Sequence, residues 1–417
     1  MLVSRRRFGL TAASASLLLA CGDEARLGAV EREPAIIGSG QGGEGAGKGD
    51  GGPGGSPGAG GDDGGGGAGG AGGELLGIVP FIDDGDTPLE TPLGVGWDGR
   101  LYTDLAQLDA GSLVTTNDNF YVRTRYPDLL DPSAPWRVDI GGLVDAPSVL
   151  TLDDLLPLAA ARGVHLLECS GNSRGGAFGL MSATSWDGIA MTDLLARVAV
   201  SPAATRVLVS GFDGHSVPSA NGHSKPGASW VFTFAQLERA FLATAMNGEP
   251  LPPDHGAPLR LLVPGWYGCT AIKWVERITL VGEGEPATAQ MQEFASRTHQ
   301  DGVPKLSADY KPASIQQAAM PIRVERWRDG TDIFYRVVGI LWGGSRLTDA
   351  VSIRFGDEPW ANVSVSPPPT TNATWTLWSH TWRPAGAGQT PIRMRIDDQA
   401  IPTLRLDIDY YLRTIAV

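Results

Sequence analysis

The sequence predicts an α+β domain that is followed by an all-β, immunoglobulin-like sandwich. The first observation is that residues from about Pro80 to Glu285 alternate short β-like runs with amphipathic helical stretches. The second is that apolar residues recur at every other position after about Ser314, between turn signals such as Asp329-Gly330. About 100 residues of such strands are typical of an immunoglobulin-like sandwich. The clearest alternating runs are residues 322–327, 334–338 and 392–396.

Two local patterns position elements of the first domain. Thr151 precedes a run in which Leu152, Leu155 and Leu156 share one helical face, so Thr151 is the predicted N-cap of a helix. Residues 163–168, GVHLLE, form an apolar run that predicts a strand. We therefore expect the residues that follow it to form a loop at the end of a buried strand.

The amino terminus, residues 1–37, carries a predicted export signal. SRRRF, residues 4–8, is a twin-arginine pattern, and it precedes an apolar run that is too short to span a bilayer. That run ends in LLAC, which resembles the lipobox of bacterial lipoproteins and predicts a lipid on Cys21. A plain signal peptide is the alternative. We expect export by the Tat route and a periplasmic or cell-envelope lipoprotein, attached to the membrane only through this lipid.

A Gly-rich linker is predicted for residues 38–76. Of the 36 residues from Gly38 to Gly73, 22 are Gly, so this stretch cannot bury a core and resembles a flexible tether. The boundaries that follow are a catalytic domain in residues 77–300 and the sandwich domain in residues 301–417.

Composition and motifs exclude several classes of function. The formal net charge of −13 and a pI near 4.9 argue against a nucleic-acid partner, because such proteins usually present a basic face. The sequence contains no C-x-x-C-H haem site, no G-x-G-x-x-G after a strand and no convincing Walker loop. A second redox centre or a nucleotide site is therefore not expected.

Two chemistries compete in residues 165–176, HLLECSGNSRGG. Residues 171–175 fit the G-x-S-x-G elbow of serine hydrolases, but the residues after Ser173 start a helix poorly, and His255 and Asp213 complete a triad only by free choice. Cys169 instead ends an apolar strand, and its thiolate suits a soft or high-valent metal. A disulfide between Cys169 and Cys269 also stays open in an exported protein. A cofactor-free binding module is a third hypothesis.

Several motifs resemble the sulfite oxidase family of molybdenum enzymes, from about Thr115 to the carboxyl terminus. ECSGN, residues 168–172, resembles the family's cysteine loop, and TSWDGIAMTDLL, residues 184–195, resembles the strand and helix that follow it. The most specific stretch is MNGEPLPPDHGAPLRLLVPGWYG, residues 246–268, followed by Lys273-Trp274. The resemblance implies a sulfite-oxidase-type molybdopterin-binding domain followed by an immunoglobulin-like domain of the dimerisation type.

The resemblance implies a Mo-molybdopterin cofactor and the residues that bind it. Cys169 matches the protein's sulfur ligand to molybdenum. Arg and Lys pair with phosphate and Asp accepts hydrogen bonds from pterin nitrogens, which suits the other matched positions. The motif FYVRTR, residues 120–125, takes the place of the family's Phe-x-Arg-Asn-His motif, with Thr124 and Arg125 in its last two positions. The matched cofactor residues are Phe120, Arg123, Arg125, Cys169, Asp213, His255, Arg260 and Lys273.

The resemblance also implies a positive pocket for a small oxyanion. Arg123, Arg174 and Arg413 match the positions that form this pocket. Trp230 stands where the family has its active-site tyrosine, and the loop after Cys169 is shorter than in the family. His215 and His223 could line the altered pocket, although a solvated loop is the alternative.

The implied reaction is oxygen-atom transfer at a Cys-ligated molybdenum. Its substrate is sulfite or a related sulfur or nitrogen oxo compound, such as a sulfoxide. Because no haem domain is encoded, electrons are exchanged with an external carrier such as a c-type cytochrome. The second domain implies a possible homodimer.

Overall fold

The structure is a computed structural model that describes residues 73–126, 130–131, 133–212 and 228–417. One compact unit extends from Glu74 to Val417. The predicted signal, the lipobox and nearly all of the predicted linker lie outside the described residues. Within the described ranges, no helix combines the length and the apolar character that are needed to cross a membrane.

Strands dominate the described part, and the helices are short. The elements before residue 282 are β1 (Glu74–Val79), β2 (Arg137–Gly142), β3 (Ser148–Thr151), α1 (Leu152–Leu155), β4 (Ala160–Glu168), β5 (Met181–Ala190), α2 (Met191–Leu195), β6 (Arg206–Gly211), β7 (Ser229–Thr233), β8 (Phe241–Met246), β9 (Glu249–Pro250), β10 (Arg260–Leu262) and β11 (Val275–Val281). The later elements are α3 (Ala289–Phe294), β12 (Ala318–Asp329), β13 (Asp332–Trp342), β14 (Val351–Phe355), β15 (Ala361–Asn362), β16 (Ser364–Val365), β17 (Thr376–Trp382), β18 (Gln389–Ile396), α4 (Leu404–Asp407) and β19 (Arg413–Ala416).

Short 3-10 turns lie between these elements. They span Gly96–Asp98, Leu105–Gln107, Leu156–Leu158, Arg174–Gly176, Ala235–Leu237, Pro253–His255, Gly268–Thr270, Ala295–Arg297 and Ser307–Asp309.

Two sheets form the first half of the fold. Sheet I has the order β10-β8-β5-β4, with β9 paired to β8, and sheet II has the order β3-β2-β11-β6-β7. The pairing of β11 with β2 is parallel, whereas β4 pairs antiparallel with β5. The predicted strand GVHLLE lies inside β4, and its last four residues are buried. Because β4 ends at Glu168, sheet I places Cys169 at the end of a buried strand, as predicted.

The predicted helix start at Thr151 is confirmed. The Thr151 side chain accepts a hydrogen bond from the Asp154 backbone N–H, and the Asp154 carboxylate accepts one from the Thr151 N–H. This reciprocal pair is a capping box, and it satisfies two donors at the helix start. The helix α1 is a single turn, followed at once by a 3-10 turn that contains Pro157.

Two sheets form the second half, which is the predicted immunoglobulin-like sandwich. Sheet III has the order β1-β12-β13-β17-β16, and sheet IV has the order β15-β14-β18-β19. The three alternating runs that predicted strands lie in β12, β13 and β18. The predicted turn Asp329-Gly330 closes the β12–β13 hairpin, with Gly330 at a φ of 60°. The α+β fold class followed by an all-β domain is therefore confirmed.

The strand β1 begins at Glu74, three residues before the start predicted for the catalytic domain. It pairs antiparallel with β12, and Phe81 forms a further bridge with Ile415 of β19. Residues 74–82 therefore lie on the sheets of the second half, although they precede the first half in the chain. This return of the chain brings the acidic pair Asp83-Asp84 to the loop after Cys169.

Candidate active site

The cysteine loop, residues 169–175, begins where β4 ends. Cys169 is 4% exposed, and its N–H donates to the carbonyl oxygen of Leu180 at 2.9 Å. Its Sγ accepts the Gly171 N–H at 3.4 Å. This backbone donor helps to fix the position of the sulfur. Cys169 and Cys269 are both free thiols, so the disulfide alternative is not present in the structure.

Cys169 lines a cavity, here named the cysteine cavity. Its walls include three cationic residues, Arg123, Arg260 and Lys273, together with Tyr121 and Cys269. Burial raises the pKa of the Cys269 thiol to about 12, so Cys269 stays neutral. Cys169, whose sulfur accepts the Gly171 N–H, is the thiol of this cavity that matches the expected metal ligand.

Arg260 is the most deeply buried cation of the cysteine cavity. It is 3% exposed, its Nη1 donates to the carbonyl oxygen of His255 at 3.3 Å, and its Nε has no partner. Burial lowers the pKa of Arg260, and Tyr121, the other hydrogen-bond partner, opposes this shift. No carboxylate of the described residues pairs with this guanidinium. A buried cation without a counter-ion is costly, so the site is suited to an anionic ligand.

Lys273 approaches Arg260 across a glycine. Its Nζ donates to the carbonyl oxygens of Thr124 and Asp254, both at 2.6 Å. Gly256, at a φ of +107°, lies between the two cations, because a Cβ built on it would be 3.0 Å from the Cβ of Lys273 and 3.2 Å from the Cβ of Arg260. Glycine is the residue that meets both the positive φ and the close packing.

His255 is buried beside the same cations. It is 4% exposed, Nε2 donates to the carbonyl oxygen of Asn117 at 3.1 Å, and Nδ1 has no partner. Phe120 is fully buried and packs edge-on against the imidazole, with 5.3 Å between ring centroids. Phe120 therefore orients His255, and Nδ1 is left as a buried acceptor without a partner.

Arg125 lies in a second cavity that contains His255, Asp254 and Asn117. Its Nε forms an ion pair with Asp254 at 2.8 Å, and Asp254 also accepts the Tyr126 N–H at 2.7 Å.

The structure divides the predicted cofactor residues between the two cavities. The cysteine cavity is lined by Arg123, Cys169, Arg260 and Lys273, and the neighbouring cavity is lined by Arg125 and His255. Asp213, with His215 and His223, lies outside the described residues.

The two other predicted oxyanion arginines are held by aspartates. Arg413 is 3% exposed and pairs with Asp84, and Arg174 pairs with Asp83 at 3.5 Å. The Arg413 guanidinium also lies over the Phe81 ring, 3.9 Å from its centroid. Burial raises the pKa of Asp84, although Arg413 opposes this. Asp83 and Asp84 were missed by the sequence analysis, and two adjacent aspartates were the available signal.

Trp230 lies in β7 at 2% exposure and packs in the hydrophobic core. It does not line the cysteine cavity or the neighbouring cavity, although Ala228, two residues before it, lines the former. A direct role for Trp230 at the substrate stays a prediction.

The serine elbow lacks its structural context. A 3-10 turn of three residues, Arg174–Gly176, follows Ser173, and Ala177 and Phe178 then have positive φ angles. A nucleophile elbow requires a helix at this place. Among the described residues, no histidine is hydrogen-bonded to Ser173, because Nε2 of His255 is directed to Asn117.

A buried polar network behind the cysteine loop was also missed. Glu168 is fully buried and accepts hydrogen bonds from Trp342 Nε1 and Tyr411 Oη, both at 2.9 Å. Arg405 lies 3.7 Å from the same carboxylate and donates to the carbonyl oxygen of Ser170 at 2.9 Å. The network therefore fixes both residues that flank Cys169 to the second half of the fold.

The chain is similar to known molybdopterin-binding proteins. Residues 124–289 match the oxidoreductase molybdopterin-binding domain. The chain is 28% identical to rat mitochondrial sulfite oxidase over 291 residues, which cover 64% of this chain and 52% of that protein. It is 34% identical to a barley NADH nitrate reductase over 192 residues, covering 42% of this chain and 21% of the reductase. The chain thus spans about half the length of the sulfite oxidases that it matches.

A solved structure shows the same fold. The sulfane dehydrogenase SoxCD from Paracoccus pantotrophus superposes with a TM-score of 0.59 at 19% identity, covering 77% of this chain and 85% of that chain. The matched residues and the fold together indicate a molybdopterin-binding domain of the kind found in oxidoreductases. More narrowly, the chain resembles the sulfite oxidase family, which uses a Mo-molybdopterin cofactor.

The residues of the cavity fit this cofactor. A buried thiol with a backbone donor provides the soft ligand that molybdenum requires, and the unpaired Nε of Arg260 lies in the same pocket region as Lys273. Gly256 and Gly268 leave space there, because a Cβ on Gly268 would lie 2.5 Å from Tyr121 Oη and 3.6 Å from the Cα of Cys169. The described residues contain no cluster of three or more His, Cys, Asp or Glu that could hold a metal ion by itself.

His255 predicts a pH dependence of stability in the cofactor-free protein. Burial, with Lys273 and Arg260, lowers the pKa of His255 to about 3, whereas an unfolded histidine titrates near 6.5. Between these values the unfolded chain binds more protons, so this contribution is complete above about pH 6.5 and is lost as the pH falls towards 3. We expect His255→Gln to flatten the rise of the unfolding free energy between about pH 4 and 7, measured by urea denaturation.

His299→Gln is the matched comparison for this pH series. The pKa of His299 falls to about 4, mainly because of burial and also because of Arg405, so its contribution has the same sign and a smaller size. Equal slopes for the wild type and His255→Gln would contradict the assignment to His255.

Proposed function

We propose that the protein is an exported molybdopterin-dependent oxidoreductase that transfers an oxygen atom to or from sulfite or a related sulfur or nitrogen oxo compound. The proposal rests on the observation that one cavity is lined by both a buried thiol and a buried cation. These are the buried thiol of Cys169 and the buried guanidinium of Arg260, which has no carboxylate partner among the described residues.

When bound, the cofactor supplies two-electron oxygen-atom-transfer chemistry. Cys169 would hold the metal through its sulfur, and the strand β4 and the Gly171 N–H keep that sulfur in place. Arg260 and Lys273 would neutralise the cofactor's phosphate, because charge-assisted hydrogen bonds to phosphate are strong in a buried site. His255, whose Nδ1 is buried without a partner, would contribute an acceptor for the pterin. Arg123, on the cavity wall, attracts the substrate's negative charge.

The proposal includes a cellular setting that follows from the sequence. The twin-arginine pattern in residues 4–8 suits a protein that is exported after it has folded around its cofactor, and Cys21 would then carry a lipid. Electrons pass to or from an external carrier such as a c-type cytochrome, and the second domain forms a homodimer. The domain boundaries proposed are residues 77–300 for the catalytic part and 301–417 for the sandwich.

Molybdenum analysis and pterin fluorescence of the purified protein test the proposed function. We expect about one molybdenum and one pterin per chain, because the single Cys169 site binds one metal. Steady-state assays with artificial one-electron carriers should then show inefficient sulfite oxidation and faster turnover of a larger sulfoxide or N-oxide. Purified protein without metal and pterin, active only on ester substrates, would instead support the serine hydrolase.

A further inference from the structure

The 3-10 turn Ala295–Arg297, directly after α3, is anchored next to the cysteine loop. Thr298 is fully buried, and its hydroxyl donates to the carbonyl oxygen of Phe294 at 3.0 Å. One nitrogen, Nη2 of Arg405, donates to the carbonyl oxygens of Arg297 at 3.0 Å and of Ser170 at 2.9 Å. A single guanidinium thus connects the backbone of this turn to the loop that carries Cys169.

The Arg297 guanidinium and the Cys169 sulfur both lie near Gly171. A Cβ built on Gly171 would lie 3.5 Å from Nη1 of Arg297 and 3.9 Å from Sγ of Cys169. The guanidinium and the sulfur therefore flank the same glycine. The guanidinium also packs over the Phe294 ring at 5.4 Å from its centroid, and Phe294 lines the cysteine cavity.

The charge of Arg297 is available to a ligand. Among the described residues it forms no ion pair, and Glu293, which lines the same cavity, does not pair with it. Arg174 and Arg413, in contrast, are held by Asp83 and Asp84. Each aspartate offsets most of the attraction of its arginine for an anion, because two opposite charges in contact produce only a weak net field.

We propose that Arg297 is the residue that binds the anionic group of the substrate beside Cys169. This inference rests on the proposed function and narrows its substrate class to sulfur or nitrogen oxo compounds that carry a negative charge. Arg174 and Arg413 then serve mainly to hold residues 81–84 against the cysteine loop. Arg297 acts on binding, so its removal affects KM more than kcat.

The test compares Arg297→Gln, Arg297→Lys and the wild type as holoenzymes. Sulfite is the anionic substrate and dimethyl sulfoxide is the neutral one. We expect Arg297→Gln to raise KM for sulfite about 10- to 100-fold, the usual effect of losing a charge-assisted hydrogen bond, and to change KM for dimethyl sulfoxide less than about twofold. Arg297→Lys should recover part of the loss, because it keeps the charge. Arg328→Gln, which breaks an exposed pair with Glu74, is the control.

Sulfate binding measured by titration calorimetry provides a readout that does not depend on turnover. We expect the wild type and Arg328→Gln to bind sulfate and Arg297→Gln to lose at least tenfold in affinity, with unchanged molybdenum content. An unchanged sulfate affinity, or an equal rise of KM for both substrates, would overturn the assignment. If the protein contains no molybdenum, the proposed function fails, and sulfate titration of the same variants still decides the role of Arg297.

Discussion

Replacing Cys169 with serine is expected to lower molybdenum-dependent turnover to near background, by about 1000-fold or more. This loss corresponds to about 4 kcal/mol of transition-state stabilisation. The physical reason is that a serine hydroxyl does not ionise at neutral pH and donates less charge to a soft metal than a thiolate does. The serine variant should keep the conformation of the cysteine loop, because this loop is held by hydrogen bonds of its main chain.

Ser173→Ala is the matched control, since it lies in the same loop and follows the same strand. We expect it to keep its metal and most of its activity. Steady-state rates, normalised to molybdenum content, measure both variants. A Ser173→Ala protein that is inactive with its metal intact would reject the thiolate assignment and would favour the G-x-S-x-G elbow.

The second large effect that we expect is a loss of unfolding free energy when Glu168, the residue before Cys169, is replaced. Glu168→Leu removes the acceptor of Trp342 Nε1 and Tyr411 Oη and the carboxylate next to Arg405. Burial raises the pKa of Glu168, and Arg405 with these hydrogen bonds opposes the shift. In either protonation state, leucine leaves buried donors without a partner. Breaking a buried network in this way typically costs about 3–5 kcal/mol.

Denaturant unfolding of the cofactor-free protein measures this loss. Glu283→Leu is the matched control, because it also breaks a Glu–Arg contact, but Glu283 is 64% exposed and pairs with Arg206 at the surface. An exposed ion pair contributes about 1 kcal/mol or less. If Glu168→Leu destabilises the protein no more than Glu283→Leu does, the network does not anchor the cysteine loop.

Local sequence patterns predicted the features that depend on neighbouring residues. The alternating runs gave β12, β13 and β18, the Thr151 capping box formed, and GVHLLE delivered Cys169 at the end of β4. Such features are predictable because side-chain period and helix capping act within a few residues. Likewise, the stretch in residues 246–268 brought His255 and Arg260 together, since they are five residues apart.

Contacts between distant parts of the chain were not predictable in this way. Asp84 and Arg413 are 329 positions apart, and they meet because the segment after β1 bridges to β19. Trp342 and Tyr411 reach Glu168 from the second half of the fold. No spacing or period in the sequence predicts these contacts, because they depend on how the sheets pack against each other.

The sequence by itself therefore predicted the fold class, the buried thiol and the three cations that line the cysteine cavity. Tertiary structure decided which of the predicted arginines of the oxyanion pocket have an aspartate partner. Arg174 and Arg413 were predicted from motifs, but each forms an ion pair with an aspartate, Asp83 or Asp84. Arg297 belongs to no recognised motif, and its guanidinium lies near Gly171, as the Cys169 sulfur does. The reason is that an electrostatic interaction depends on distance and burial in three dimensions, and neither quantity follows from the order of the residues.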